Sequence, residues 1–274
     1  MPQKQSVGII TWATIWFAVF TLAGCAAQQA PQRDTAGGNT TTGSGKIAHA
    51  FTIFMVGDST MADKPVIPPN PERGWGQLLP LYFKEGVRIE NHAANGRSSK
   101  SFIDEGRWKA VLQKLQPRDF VIIQFGHNDE KVKSPDRYTT PFGTFAANLT
   151  RYVRETREHK ATPILCTSVA RRKFDADGRL IDTHGDYIVA TRQVAAEHHV
   201  PLLDLNKDTS ALLTSMGPEQ SKRLFDWIPA GEFARRPDGW KDDTHFNAFG
   251  ACRVCDLAAA EIKTNVPELA RWLK

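Results

Sequence analysis

The sequence predicts a three-layer α/β sandwich, a parallel sheet with helices packed on both faces. Two observations carry this prediction. From residue 51 onward, short apolar runs alternate with longer segments whose apolar residues recur at helical spacing, which is the pattern of repeated strand–helix units. The run at 120–125, Phe-Val-Ile-Ile-Gln-Phe, is apolar almost throughout, as expected of a central parallel strand covered on both sides.

The elements follow in order. Residues 51–56 form a short apolar run ending in Gly57-Asp58 and predict a first strand. Residues 74–83 place Trp75, Leu78, Leu79 and Tyr82 on one helical face, and that need for an apolar face assigns Trp75 to the core rather than to a sugar platform. Strands are predicted at 87–91, 120–125, 163–169 and 201–205. Helices are predicted at 101–115, 142–159, 186–199, 209–216, 218–224 and 248–263. Right-handed crossovers then put helices on both faces of the sheet. In such folds ligands bind beyond the carboxyl ends of the strands.

The chain has 274 residues, 41% hydrophobic and 24% charged, which fits one domain with a real core after an N-terminal leader. A net charge of +5 is too small a surplus to mark a nucleic-acid binder. The leader consists of Lys4, an uncharged apolar run over 7–22, and then Leu22-Ala23-Gly24-Cys25. This is the layout of an export signal, and the small residues before Cys25 resemble a bacterial lipobox. Residues 1–24 are therefore expected to be a lipoprotein signal peptide, with Cys25 lipidated. A plain signal peptide or a retained membrane anchor has the same general layout. Residues 25–48, rich in Ala, Gln, Gly, Thr and Ser, are expected to be a flexible tether, and 49–274 the catalytic domain. Cys252 and Cys255 have the spacing of a redox pair or half a metal site, but no matching pair accompanies them. Burial on the last helix accounts for them better.

Three loops at the carboxyl edge of the predicted sheet carry polar residues suited to acyl transfer. Ser59 follows the first strand and has its hydroxyl at the sheet edge. Alone, Asp58-Ser59-Thr60 is equally a helix N-cap cluster. In Asp242-Asp243-Thr244-His245 an acid three residues before a histidine can fix its tautomer, leaving Nε2 to face a serine. Serine needs such a base at neutral pH, yet a surface turn can also hold Asp and His by chance. Developing negative charge on a carbonyl oxygen needs waiting donors. The Ser59 N–H, the Gly96 N–H and the Asn128 amide lie on the right loops, although Gly96 and Asn128 are also ordinary turn residues.

Taken in order, Gly57-Asp58-Ser59, Gly96, Gly126-His127-Asn128-Asp129 and Asp242-x-x-His245 resemble the SGNH (GDSL-like) hydrolase superfamily. The resemblance implies a flavodoxin-like sheet of five strands in the order 2-1-3-4-5. It also implies a triad of Ser59, His245 and Asp242, rather than the neighbouring Asp243, with an oxyanion hole of Ser59, Gly96 and Asn128. Further blocks are similar to the rhamnogalacturonan acetylesterase branch: Gly57 to Ala62, Asn91 to Ser99, Phe125 to Asp129, Ser168 to Asp175 and Thr183 to Tyr187. The similarity covers about residues 50–274. It implies deacetylation of plant cell-wall polysaccharide, rhamnogalacturonan first, without metal or organic cofactor.

Arg97, Arg171 and Arg172 are the candidates for binding uronate carboxylates, since a guanidinium forks onto a carboxylate; each is also a plausible solvated surface arginine. The segment 225–237, with Trp227, Phe233, Arg235 and Arg236, looks inserted and is expected to cover the site. The expected partner is acetylated polysaccharide or oligosaccharide, met by a monomer held to a membrane in the periplasm or at the cell surface. The rivals are an esterase on acetylxylan or a lipid, and a non-catalytic glycan-binding lipoprotein.

Overall fold

The structure is a computed structural model and describes residues 49–66 and 70–274. The leader, Cys25 and the tether lie outside the described residues. Five strands form one parallel sheet: β1 (Phe51–Gly57), β2 (Val87–Asn91), β3 (Phe120–Gln124), β4 (Thr162–Cys166) and β5 (Leu202–Leu203), in the order β2-β1-β3-β4-β5. The helices are α1 (Trp75–Leu78), α2 (Ser99–Asp104), α3 (Arg107–Leu112), α4 (Ala146–Glu158), α5 (Asp186–Glu197), α6 (Leu205–Gln220), α7 (Ala248–Asn265) and α8 (Pro267–Ala270).

The two-residue period of the strands divides the core in two. Ile53, Met55, Ile122 and Ile164 point to one face, where they meet Trp75, Leu79 and the inner side of α7. Phe54, Val56, Val121, Ile123 and Leu165 point to the other, against Phe102, Trp108, Tyr152 and Val194 from α2, α3, α4 and α5. Trp75 is fully buried, as its helical spacing predicts. Cys255 is buried on α7, with its Sγ 3.1 Å from the Trp75 carbonyl, and both it and Cys252 are free thiols.

The differences from the sequence expectations have local causes. The helix expected at 101–115 is two, because Gly106 adopts φ +72°, a left-handed conformation that ends one helix and starts the next. The helix starts at Ser99, where Ser98 and Ser101 cap each other reciprocally. The fifth strand, expected at 201–205 and lying at the sheet's edge, shrinks to Leu202–Leu203, since Asp204 turns away to cap α6. The two helices expected at 209–224 merge across a kink at Gly217-Pro218, followed by a single 3-10 turn at Ser221–Leu224.

The largest correction concerns 225–237. It does not cover the pocket at Ser59, whose lining contains none of its residues. Instead, β6 (Phe225–Ile228) pairs antiparallel with β7 (Trp240–Phe246), and the residues between form the hairpin turn. Strand β7 carries the Asp242-x-x-His245 block. Among the described residues no helix is long and apolar enough to cross a membrane.

Candidate active site

The loop after β1 is held from below. The Asp58 carboxylate accepts from the Thr60 N–H at 2.9 Å and the Thr60 hydroxyl at 2.8 Å. Gln124, at the end of β3, donates to Thr60 Oγ1 and accepts from the Trp75 indole at 2.7 Å. These bonds are buried, and a buried polar group without a partner would cost about 1–3 kcal/mol, so the turn has few alternatives. Ser59 is thereby fixed at the carboxyl end of the sheet. Asp58 also lies 3.2 Å from His127 Nδ1, close in space but poorly angled for a hydrogen bond. Burial pushes the Asp58 carboxyl up, yet His127 and Thr60 outweigh it and hold it at about 2. Burial drives His127 the other way, to about 4 against the pull of Asp58, so its ring is neutral at pH 7.

The Asp242 carboxylate folds over its own strand. One oxygen accepts the Thr244 N–H at 2.7 Å and the His245 N–H at 2.8 Å, while the other meets His245 Nδ1 at 2.8 Å. Burial raises its pKa, but the His245 ring and these N–H groups lower it more, leaving it at about 2. An ionised acceptor at Nδ1 puts the ring proton there and leaves Nε2 as an acceptor. His245 Nε2 stands 2.8 Å from Ser59 Oγ. Ser59, His245 and Asp242 thus form one hydrogen-bonded row, 186 residues apart in sequence at its first link. Asp243 points elsewhere: its carboxylate takes Arg172 Nη1 at 2.6 Å and the Trp227 indole N–H at 2.9 Å.

Gly96 and Asn128 share with Ser59 and His245 a pocket of about 410 Å³. Gly96 has φ +76°, which any side chain would strain. One Asn128 N–H donates to the Arg97 carbonyl at 3.1 Å, which orients the amide and leaves its second N–H unused. Lys131 donates to Asn128 Oδ1 at 2.9 Å, drawing electron density from the amide and making that second N–H a better donor. This constellation suits the attack of a hydroxyl on an ester carbonyl.

Of the three arginines, only Arg171 reaches the pocket, paired with Glu130 at 2.5 Å and donating to the His127 carbonyl. Arg97 does not line it; its Nε is tied to Glu105 and its Nη1 to the Asn95 carbonyl. Arg172 is corrected outright: it is buried, bonds Asp243 and the Pro218 carbonyl, and lies 4.8 Å from the Trp227 ring. It clamps the β6–β7 hairpin to the body rather than facing substrate. The sequence reading missed Lys64, Glu72 and Lys131. Lys64 is buried, pairs with Glu72 and donates to Asn95. Burial, then Arg137 and Arg171, push the Lys131 ammonium down, and no carboxylate pairs with it among the described residues. Its position three residues after Asn128, on the same loop turn, was the one signal available.

Asp129 joins two of these loops. It accepts from the Ser99 hydroxyl at 2.5 Å, the Ser99 N–H at 3.1 Å and the Thr139 hydroxyl at 2.9 Å. Burial raises its pKa from 3.8 to about 7 against those donors. The folded chain therefore keeps a proton that the unfolded chain loses, so this contribution to stability is complete below pH 3.8 and is lost as pH rises through about 7. Relative to wild type, Asp129→Asn is expected to gain unfolding free energy, measured by urea denaturation, between about pH 4.5 and about pH 6.5, by at most about 3 kcal/mol. A difference that stays constant over that range would contradict the assignment.

Known proteins of similar sequence and fold place this geometry. Residues 55–251 match the GDSL-like Lipase/Acylhydrolase family. The chain is 43% identical over 213 residues to the rhamnogalacturonan acetylesterase RhgT of Bacillus subtilis, covering 77% of this chain and 89% of the relative. It is 36% identical over 211 residues to the probable rhamnogalacturonan acetylesterase YesY of the same organism, covering 77% and 92%. Among solved structures, protein YxiM of Bacillus subtilis superposes with a TM-score of 0.66 at 28% identity, covering 78% of this chain and 56% of that one. The acetylxylan esterase Axe2 of Geobacillus stearothermophilus superposes at 0.57 with 19% identity, covering 79% and 96%, a likeness of fold alone. With the sheet order, the loop placement of Ser59 and a match over most of the domain all in agreement, the chain belongs to the GDSL-like lipase/acylhydrolase family.

Proposed function

We propose that the protein is a serine carbohydrate esterase that removes acetyl groups from rhamnogalacturonan, the acidic pectic polysaccharide. The observation that carries this reading is the hydrogen-bonded row Ser59–His245–Asp242 opening into a polar, cation-walled pocket. The pocket presents Lys64, Lys131 and Arg171, and no large aliphatic or aromatic hydrocarbon side chain lines it among the described residues. Among these lining residues a lipid chain finds no apolar wall, whereas a uronate finds positive charge at Lys131 that no described carboxylate pairs. RhgT and YesY, named for rhamnogalacturonan deacetylation, support the same substrate.

In the proposed reaction His245 Nε2 takes the Ser59 proton as Oγ attacks the acetyl carbonyl. The oxyanion is met by the Ser59 N–H, the Gly96 N–H and the free Asn128 N–H. His245 then passes its proton to the departing sugar oxygen, leaving acetyl-Ser59. Water, deprotonated by His245, attacks the acyl carbon; the proton returns to Ser59 and acetate leaves. Asp242 stabilises the imidazolium in both halves. We further propose that Cys25 is the lipid-bearing residue and that the protein works as a monomer tethered to a bacterial membrane, on the strength of Leu22-Ala23-Gly24-Cys25 and the polar stretch after it.

The substrate is tested by acetate release from acetylated rhamnogalacturonan before and after chemical reduction of its carboxyl groups, with acetylxylan alongside. The acidic polymer is expected to have a kcat/KM roughly tenfold or more above both neutral ones, the value of about one charge-assisted contact. Equal rates would sink the uronate part of the proposal. Preference for acetylxylan would reassign the substrate.

A further inference from the structure

The β6–β7 hairpin builds a second concave surface that the ester chemistry does not use. It encloses a groove of about 720 Å³. Trp227, Ile228 and Trp240 line it together with Lys222, Arg223 and Lys241. The charge here is lopsided. Lys222 pairs with the exposed Glu219 at 2.6 Å. Arg223, Arg236 and Lys241 have no carboxylate partner among the described residues, and Asp238 is the one acid on the lining. Two of these cations lie against aromatic rings instead: Lys241 Nζ is 5.6 Å from the Trp227 ring and Arg236 sits 3.7 Å over Trp240, while Lys222, besides its ion pair, lies 4.7 Å from Trp227. A cation on a ring face keeps its charge available to a ligand, unlike one neutralised by a carboxylate.

Exposed indole and unneutralised cations answer to one ligand chemistry. Trp240 stays 39% exposed beside Arg236, and a pyranose lays its slightly positive C–H face on such indole surface, while a uronate carboxylate forks onto a guanidinium. The groove is also continuous with the catalytic strand. Trp240 and Lys241 open β7, and His245 follows on the same strand. Lys241 and Phe246 pair with Trp227 and Phe225, only two residues apart on β6, so the groove and the His245 end of β7 are about 7 Å apart along the hairpin, within reach of one extended chain. We propose that the hairpin groove is a distal binding site for a uronate-bearing polysaccharide chain, holding the polymer while an acetyl group meets Ser59. The proposal rests on the pectic reading of the active site, and it gives the 225–237 segment a function: polymer capture rather than coverage.

The test measures binding of polygalacturonate, which carries no acetyl groups and so is not turned over, to the full-length protein by affinity electrophoresis. The same preparations are assayed on a short acyl ester. Arg223→Ala and Trp240→Ala are each expected to weaken polygalacturonate binding by roughly tenfold, while hydrolysis of the short ester shows that the Ser59 pocket is still assembled. Arg223→Lys is expected to recover only part of the loss, since a lysine cannot make the two-pronged contact. Wild type that hydrolyses acetylated rhamnogalacturonan but does not retain polygalacturonate would overturn the groove alone. Wild type that retains polygalacturonate yet releases no acetate from any ester would support the groove and overturn the esterase reading. Equal retention of neutral arabinan, or of single-stranded DNA at the same salt, would overturn the assignment to an acidic sugar chain.

Discussion

Asp242→Asn is expected to lower kcat on acetylated rhamnogalacturonan by about 10⁴-fold, with KM little changed. The asparagine can still accept the Thr244 and His245 N–H bonds that the Asp242 carboxylate accepts now. What it cannot do is demand a proton at His245 Nδ1. An amide N–H facing Nδ1 favours the tautomer with the proton on Nε2, the atom that must take the Ser59 proton. The loss therefore falls on the chemical step. Asp243→Asn is the control that separates these two adjacent acids. Asp243 faces Arg172 and Trp227, not His245. Its replacement is expected to loosen the hairpin and lower thermal stability, with a rate loss far smaller than that of Asp242→Asn. A larger kinetic defect at Asp243 than at Asp242 would mean that the acid of the row had been misassigned.

Much of this architecture was legible in the residues because period-two burial and helical spacing are local signals. The apolar run at 51–56 already reads as a strand in the sequence, and the structure divides it between the two core faces, Ile53 and Met55 on one and Phe54 and Val56 on the other. The blocks at Ser59, Gly96, Asn128 and His245 were legible as ordered motifs, the first three each just beyond a strand and the last just before the final helix. What escaped were facts about pairing across the fold. Arg172 reads as a free cation in sequence; only the structure shows Asp243, 71 residues away, taking its charge. Arg97 is spent on Glu105 in the same manner. Lys131 carries the opposite lesson: beyond its spacing of three from Asn128, nothing about a surface-type lysine reveals that it will sit on the oxygen of that amide. The 225–237 segment looked like a cover because its partner strand is the catalytic strand itself, a pairing that depends on register rather than on composition.

The Ser59 pocket and the hairpin groove divide the labour between chemistry and capture. The first is small, polar and built on buried, fully specified turns; the second is broader, aromatic and lined with charge. Both open along β7, so an acidic chain bound in the groove is delivered toward His245.

The central claim is that Ser59 carries the acetyl group taken from the acidic polymer. Its most direct test is acetate release from acetylated rhamnogalacturonan by wild type and Ser59→Ala side by side, with matching thermal melts to show that both are folded. Wild type is expected to release acetate, and the variant to fall by about 10⁴- to 10⁶-fold, as enzymes do when a nucleophile of this kind is removed. A folded wild type that releases no acetate, or a Ser59→Ala variant that keeps the wild-type rate, would contradict the account.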